Sequence, residues 1–369
     1  MTLSAPPAAA KSLRPRLIAL YAALLGANIA AWAWALIALR HYPLLIGTAV
    51  IAYGFGLRHA VDADHIAAID AVTRKLMQRG ERPLGVGLAF SLGHSSIVIA
   101  ATLGIALSAL TLQGRFEQWH EIGATIGTLV SSGFLLVIAG MNLVILRDVW
   151  RRYRRAHRDD AETAEAAVAS AEPMAPAGLL ARALRPLFAL VSKSWHMYPV
   201  GLLFGLGFDT ATEIGLLAIA AAQAGKGLPM VSILVFPALF TAGMTLVDST
   251  DNVLMVHAYG WAMDDPKRKL YYNASITLVS ALLAVMIGGV EAAGLIGAQL
   301  GASGGLWSAA AGVNAHFGEI GYAFVALFIA CWIGSVLFHR WRRPGLVELA
   351  TQSGTTPATP VSAGMAENA

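Results

Sequence analysis

The stretch GLRHAVDADHI, residues 56–66, places a guanidinium, two imidazoles and two carboxylates inside an otherwise apolar run. A charged side chain at mid-membrane costs roughly 2.5–3.5 kcal/mol by insertion scales, so Arg58, Asp62 and Asp64 must be paired, protonated or bound to a cation. A structural ion pair between Arg58 and Asp62 would explain two of them and leave Asp64, His59 and His65 without a role. At about 100° per residue, His59, Asp62 and His65 share one helical stripe and Asp64 falls well off it. Either Asp64 faces another partner or the helix is locally unwound, and Gly54 and Gly56 just upstream make a break plausible. Imidazole combined with carboxylate suits a first-row divalent ion such as nickel, cobalt or zinc. Two histidines at this spacing also fit a hydrolytic zinc site, so spacing leaves transport and hydrolysis both open.

Three further apolar segments carry polar groups. SLGHSSIV holds His94, Ser95 and Ser96; LGFDTATEI holds Asp209, Thr210, Thr212 and Glu213; GMTLVDSTDNVLM holds Met244, Asp248, Ser249, Asp251, Asn252 and Met255. Any one group could be glue between helices, worth about 0.5–2 kcal/mol. Acids and histidines on four segments read better as one polar pathway. Asn28, alone in the first apolar segment, is more often a packing residue.

The elements that must position these groups are membrane helices. With 13% charged residues, 57% hydrophobic residues and a mean hydropathy of +0.62, the chain is too apolar for a soluble domain, which carries about a quarter charged residues. The expected fold is an all-α polytopic membrane protein. Runs of roughly 20 apolar residues suffice to span, and eight are read at about 17–39, 44–73, 84–110, 122–146, 198–223, 229–258, 271–299 and 319–341. The membrane-spanning body is thus 17–341, with a Pro/Ala-rich N-terminus over 1–16, a long basic loop over 147–197, and a Thr/Ser/Pro-rich tail over 342–369; both ends read as disordered. The first span lacks a small-residue cleavage site after it and is kept as a mature helix.

Lysine and arginine concentrate in both termini and in loops two–three, four–five and six–seven, while the alternate loops hold only Arg40, Arg115 and Lys226. Basic loops stay cytoplasmic, which places both termini inside. The net charge of +4 therefore reflects topology rather than nucleic-acid binding. A single cysteine, Cys331, excludes an intrachain disulfide and a thiolate cluster, which argues against a structural zinc site or an iron–sulfur cluster. No G-x4-G-K-[ST] loop is present, so ATP is not hydrolysed through a P-loop. FGLRHAVDADHI in span two resembles FGLGFDTATEI in span five, allowing a one-residue gap, and the two spans run in opposite directions. That pattern suggests an inverted-topology repeat with the site where the halves meet.

RHAVDADHI, LGHSSIV, LGFDTATEI and GMTLVDSTDNVLM, in this order, resemble the four signature segments of the nickel/cobalt transporter family, single-chain permeases with eight helices. The resemblance runs from about residue 17 to 341. It implies uptake of Ni²⁺ or Co²⁺ across the cytoplasmic membrane, with the ion as cargo, no cofactor, lipid as surroundings and no ATPase subunit. The family's His-x4-Asp-His pattern maps onto His59, Asp64 and His65, with Asp62 between, and it favours an unwound helix because it keeps the aspartate that leaves the stripe. His59, Asp62, Asp64 and His65 are the expected metal ligands. Asn28, Arg58, Val61, His94, Ser95, Asp209, Glu213, Asp248 and Asp251 are expected as supporting or pathway groups. Val61 and Asn28 look similar to nickel-preferring members. An exporter of the same metals is the alternative. A membrane-embedded zinc hydrolase is weaker, because no H-E-x-x-H motif is present.

Overall fold

The computed structural model describes residues 13–108, 113–156, 191–207, 210–263, 266–302, 304–314, 316, 319–323 and 326. Regular structure among them is helical, with no strand. In chain order the helices are α1 (Leu13–Ala38), α2 (Leu45–His59), α3 (Ala63–Gln78), α4 (Val86–Ser108), α5 (Gln113–Ala156), α6 (Met197–Phe204), α7 (Ala211–Gly225), α8 (Met230–Ile233), α9 (Val235–Met263), α10 (Pro266–Leu300) and α11 (Gly305–Asn314). Five stretches are long and apolar enough to cross a bilayer: Leu13–Ala38, Val86–Leu107, Thr125–Val144, Met230–Gly260 and Ala281–Leu300.

Spans two and five are absent from those five because each is interrupted. The stretch expected over 44–73 is α2 and α3, and that expected over 198–223 is α6 and α7. The break in span two lies at residues 60–62, past the glycines that suggested it. Ala60 and Val61 close α2 with bonds to the Gly56 and Arg58 carbonyls, and Asp62 is extended at φ −65°, ψ 143° before α3 begins. The two interruptions match along the repeated motif. Asp62 and Thr210 are the extended residues before the helix, Ala63 and Ala211 begin it, and His65 and Glu213 occupy its third position. Residues 13–16, expected to belong to a disordered N-terminus, instead open α1; the rest of both termini, most of the long loop, the greater part of the expected span eight and Asp209 lie outside the described residues. The short helix α11 was not anticipated.

α9 is the central element, packed against α1, α2, α3 and α4. α1 buries only one stripe, Leu24, Asn28, Ala31 and Ala35, at spacings of four, three and four. Its other apolar side chains, Ile18, Leu25, Ile29 and Leu36 among them, remain exposed, as suits a helix whose outer surface meets lipid. α3 is the opposite: a polar helix buried along its length, including Asp70, Thr73, Arg74 and Lys75. Ionisable side chains at membrane depth are tolerated where protein surrounds them. Lys75 Nζ donates to the Val191 carbonyl at 2.5 Å, tying the last part of the long loop to the end of α3.

Small residues let these helices approach backbone to backbone. A Cβ at Gly56 would fall on the Phe240 carbonyl of α9, one at Gly87 on the Asp248 carbonyl, and one at Gly93 on the Tyr198 carbonyl of α6. Gly201 meets Phe90 in the same way from the other side of that crossing. Because backbone cannot step aside as a flexible side chain can, Gly93→Ala is expected to destabilise the protein by about 1–3 kcal/mol. A fall in the thermal unfolding midpoint of purified protein measures it; an unchanged midpoint would show that α4 and α6 separate at no cost.

A buried histidine–carboxylate cluster at the helix break

Three imidazoles converge where α2 stops and α3 starts. His59 is the last residue of α2, His65 stands in the first turn of α3, and His94 comes from the middle of α4. All are 2% exposed or less. Each offers a ring nitrogen, and the three nitrogens lie within 4.8 Å of one another, close enough to share one ion. The break makes this arrangement possible: it turns His59 and His65 toward one point, with ring centroids 4.6 Å apart.

Glu213 of α7 completes the cluster. Its Oε1 lies 2.9 Å from His94 Nε2 and 3.8 Å from His59 Nε2, while the two imidazole Nε2 atoms are 3.0 Å apart. One proton on His94 Nε2 cannot serve both neighbours, so this triangle of lone pairs is incompletely satisfied by hydrogen bonding. On the far side of the His59 ring, Nδ1 faces the hydroxyls of Thr212 at 3.2 Å and Thr210 at 3.3 Å and Asp62 Oδ2 at 3.5 Å. Thr210 also donates to Glu213 Oε2 at 2.9 Å and caps α7 through the Glu213 amide. His65 has no hydrogen-bond partner on either ring nitrogen among the described residues, and its Nδ1 stands 3.6 Å from Asp248 Oδ2. Phe90 and Phe240 cover the imidazoles of His65 and His59 edge-on and obliquely, walling the cluster with apolar surface.

Soft and borderline first-row ions take imidazole nitrogen readily, and buried carboxylates beside them offset the charge of a divalent ion. The C-terminal end of α2, with its partial negative charge, also points at this spot. The cluster can therefore hold a desolvated divalent cation.

The residues singled out from the sequence divide by position. His59, His65, His94 and Glu213 come together, with Asp62 beside His59. Asp64, in the first turn of α3, folds back on its own chain, its Oδ1 accepting the His65 amide at 2.9 Å. Arg58 is exposed, and no Arg58–Asp62 ion pair occurs among the described residues. Asp62→Asn combined with Arg58→Gln is accordingly expected to leave metal binding as impaired as Asp62→Asn alone; recovery in the double variant would restore the ion-pair reading. Ser95 is buried with its hydroxyl unpartnered among the described residues. Asp248 accepts from Ser91 Oγ at 2.5 Å and links α9 to the cluster through His65. Asp251 lies further along α9. Asn28 is apart from the imidazoles: its amide bonds the Leu24 and Ala242 carbonyls, and its oxygen accepts from Tyr53. It fastens α1 to α9 and α2.

Gly321 was not anticipated. A Cβ there would coincide with the Val61 carbonyl, so the start of the last expected span presses directly on the break. Glu213 was expected as a supporting or pathway group, and the repeat, which sets it opposite His65, is the sequence signal that points to the cluster.

The family described as NicO, high-affinity nickel-transport protein, matches residues 45–338. A relative from Cupriavidus necator, named high-affinity nickel transport protein, is 52% identical over 89% of this chain and 93% of its own length. The hydrogenase nickel incorporation protein HupN of Bradyrhizobium diazoefficiens is 51% identical over 87% and 83%. The cobalt transport protein NhlF of Rhodococcus rhodochrous is 40% identical over 80% and 83%. No solved structure matches.

Proposed function

We propose how this chain works from one premise: it belongs to the NicO family of high-affinity nickel-transport proteins. It is a multi-pass membrane protein of a transporter family, and the transported ion is nickel or cobalt. On our reading the ion is Ni²⁺, it moves inward at low external concentration, and the His59–His65–His94–Glu213 cluster is where it is held in mid-passage. The observation that carries this is the convergence of three buried imidazoles and a carboxylate at a helix break, the geometry in which transporters hold substrate.

The side chains do three things. Imidazole nitrogens replace water around the ion and favour Ni²⁺ over the hard ions Mg²⁺ and Ca²⁺. Glu213, with Asp62 behind His59, offsets its charge. Thr210 and Thr212 fix the orientation of Glu213 and His59, as outer partners of metal ligands do. Affinity order alone would favour Cu²⁺ over Ni²⁺, so discrimination falls to a rigid cluster on two half-helices braced by α4, α9 and Gly321. Asn28, bonded to Tyr53 on α2, acts on preference through the placement of that half-helix.

The membrane potential supplies a driving force. A divalent ion moving inward gains about 4.6 kcal/mol per 100 mV, enough for more than about a thousandfold accumulation at 1.4 kcal/mol per decade. No ATPase partner is then required. The distribution of basic residues supports a cytoplasmic position for both termini. Cells expressing the chain are expected to accumulate radiolabelled Ni²⁺, with Co²⁺ competing better than Zn²⁺ or Mn²⁺. Cell nickel falling below that of control cells would mean export instead.

A further inference from the structure

His65 is the one imidazole of the cluster whose ring nitrogens both lack a hydrogen-bond partner among the described residues. It is 1% exposed, so bulk water does not reach it. Its Nδ1 faces Asp248 Oδ2 across 3.6 Å, which is too far for a hydrogen bond. Asp248 is an acceptor in the matching position. It is fully buried, and its Oδ1 has no partner among the described residues. Its Oδ2 meets the Ser91 hydroxyl at 2.5 Å, but that hydroxyl also lies 2.9 Å from the Gly87 carbonyl and has one hydrogen for the two. A ring nitrogen without an acceptor thus faces a carboxylate short of a donor. A shift of about half an ångström joins them.

α4 builds this arrangement along one face. Gly87, Ser91 and His94 follow at spacings of four and three, which puts them on a single stripe. Gly87 lets the Asp248 backbone come close, since a Cβ there would fall on its carbonyl. Ser91, one turn on, meets the carboxylate of the same residue. His94, a further turn on, enters the cluster. Asp248 is therefore seated on α4 by backbone and side chain together, with its carboxylate turned to His65 of α3. Phe90, beside Ser91, stands edge-on to the His65 ring at 4.8 Å between centroids and limits how far that ring can swing.

We propose that Ser91 and Asp248 are positioning residues for His65: they hold its Nδ1–H toward α9 and leave Nε2 as the lone pair offered to the ion. The proposal rests on the reading that His65 binds the ion. Imidazole ligands generally donate their second nitrogen to a carboxylate or carbonyl, which fixes the ring and strengthens the metal-bound nitrogen. An ion that draws electrons from Nε2 makes Nδ1–H a stronger donor, so the gap to Asp248 closes as the site fills. The grip on the ion then reaches α9, the helix against which α1, α2, α3 and α4 pack.

A double-mutant cycle on detergent-purified full-length protein, read by equilibrium dialysis against radiolabelled Ni²⁺, tests this. Asp248→Ala is expected to weaken binding about ten- to a hundredfold. Ser91→Ala is expected to weaken it about fivefold, the worth of one neutral hydrogen bond. Asp248→Asn keeps an amide oxygen that accepts from Nδ1–H, and is expected to bind at least about threefold more tightly than Asp248→Ala. In a His65→Ala background, neither Asp248→Ala nor Ser91→Ala is expected to cost more than about twofold further. Losses in that background as large as those in wild type would mean that Asp248 acts on its own, as a ligand or in packing, and would overturn the proposal. So would Asp248→Asn binding as weakly as Asp248→Ala, or Asp248→Ala binding as tightly as wild type. Should Asp248→Ala fail to fold, the Ser91→Ala arm of the cycle decides alone. Unchanged affinity in His65→Ala would instead remove His65 from the metal site itself, a failure of the underlying reading that the single variant exposes.

Discussion

His94→Ala is expected to weaken Ni²⁺ binding by purified protein more than about a hundredfold and to abolish uptake at low external nickel. The sequence suggested a supporting role for His94, orienting some other ligand. Loss of such an outer partner costs about ten- to a hundredfold in metal affinity. The structure instead puts His94 Nε2 3.0 Å from His59 Nε2 and 2.9 Å from Glu213 Oε1, at the centre of the cluster. On the proposed reading a group there touches the ion, and its removal takes away a ligand. The histidine is buried against neighbours that remain, so the variant should reach the membrane in normal amount. Binding within tenfold of wild type would return His94 to a supporting role. His59→Ala and His65→Ala are expected to fail to the same extent.

Glu213→Gln carries the second large effect. Size and most hydrogen bonds survive, while one negative charge is lost from a site 1% exposed. A unit charge about 4 Å from another is worth about 4 kcal/mol at an effective dielectric constant of about 20, and the cation is divalent. Desolvation of the carboxylate offsets part of that. A net loss of at least about a hundredfold in affinity is expected, about 2.8 kcal/mol. Titration calorimetry on the variant decides it; near-wild-type affinity would move Glu213 out of contact with the ion.

The helical, membrane-spanning character was legible because hydropathy is a property of single residues summed over a window. The break in span two was half legible. Asp64 fell off the stripe shared by His59, Asp62 and His65, which an unbroken helix could not repair, but the likeliest breakers by residue type were Gly54 and Gly56. Gly56 turns out to serve a close approach to Phe240, and the backbone opens at Ala60–Asp62 instead. Which distant groups meet was not legible. Nothing in the sequence sets α9 against both α1 and α2, as it packs, or directs the Asn28 amide to the Ala242 carbonyl. Glu213 read only as a supporting or pathway group, because its contact with His94, 119 residues away, exists only in three dimensions. The repeat was the better guide: matching the two interrupted motifs sets Glu213 where His65 stands.

X-ray absorption at the nickel edge of the loaded, purified protein tests the central claim most directly. Scattering from imidazole rings of His59, His65 and His94, mixed with oxygen, is the predicted result, with one ring fewer in His94→Ala at saturating nickel. A spectrum of oxygen ligands alone, unchanged by any histidine substitution, would contradict a histidine-held ion at the helix break.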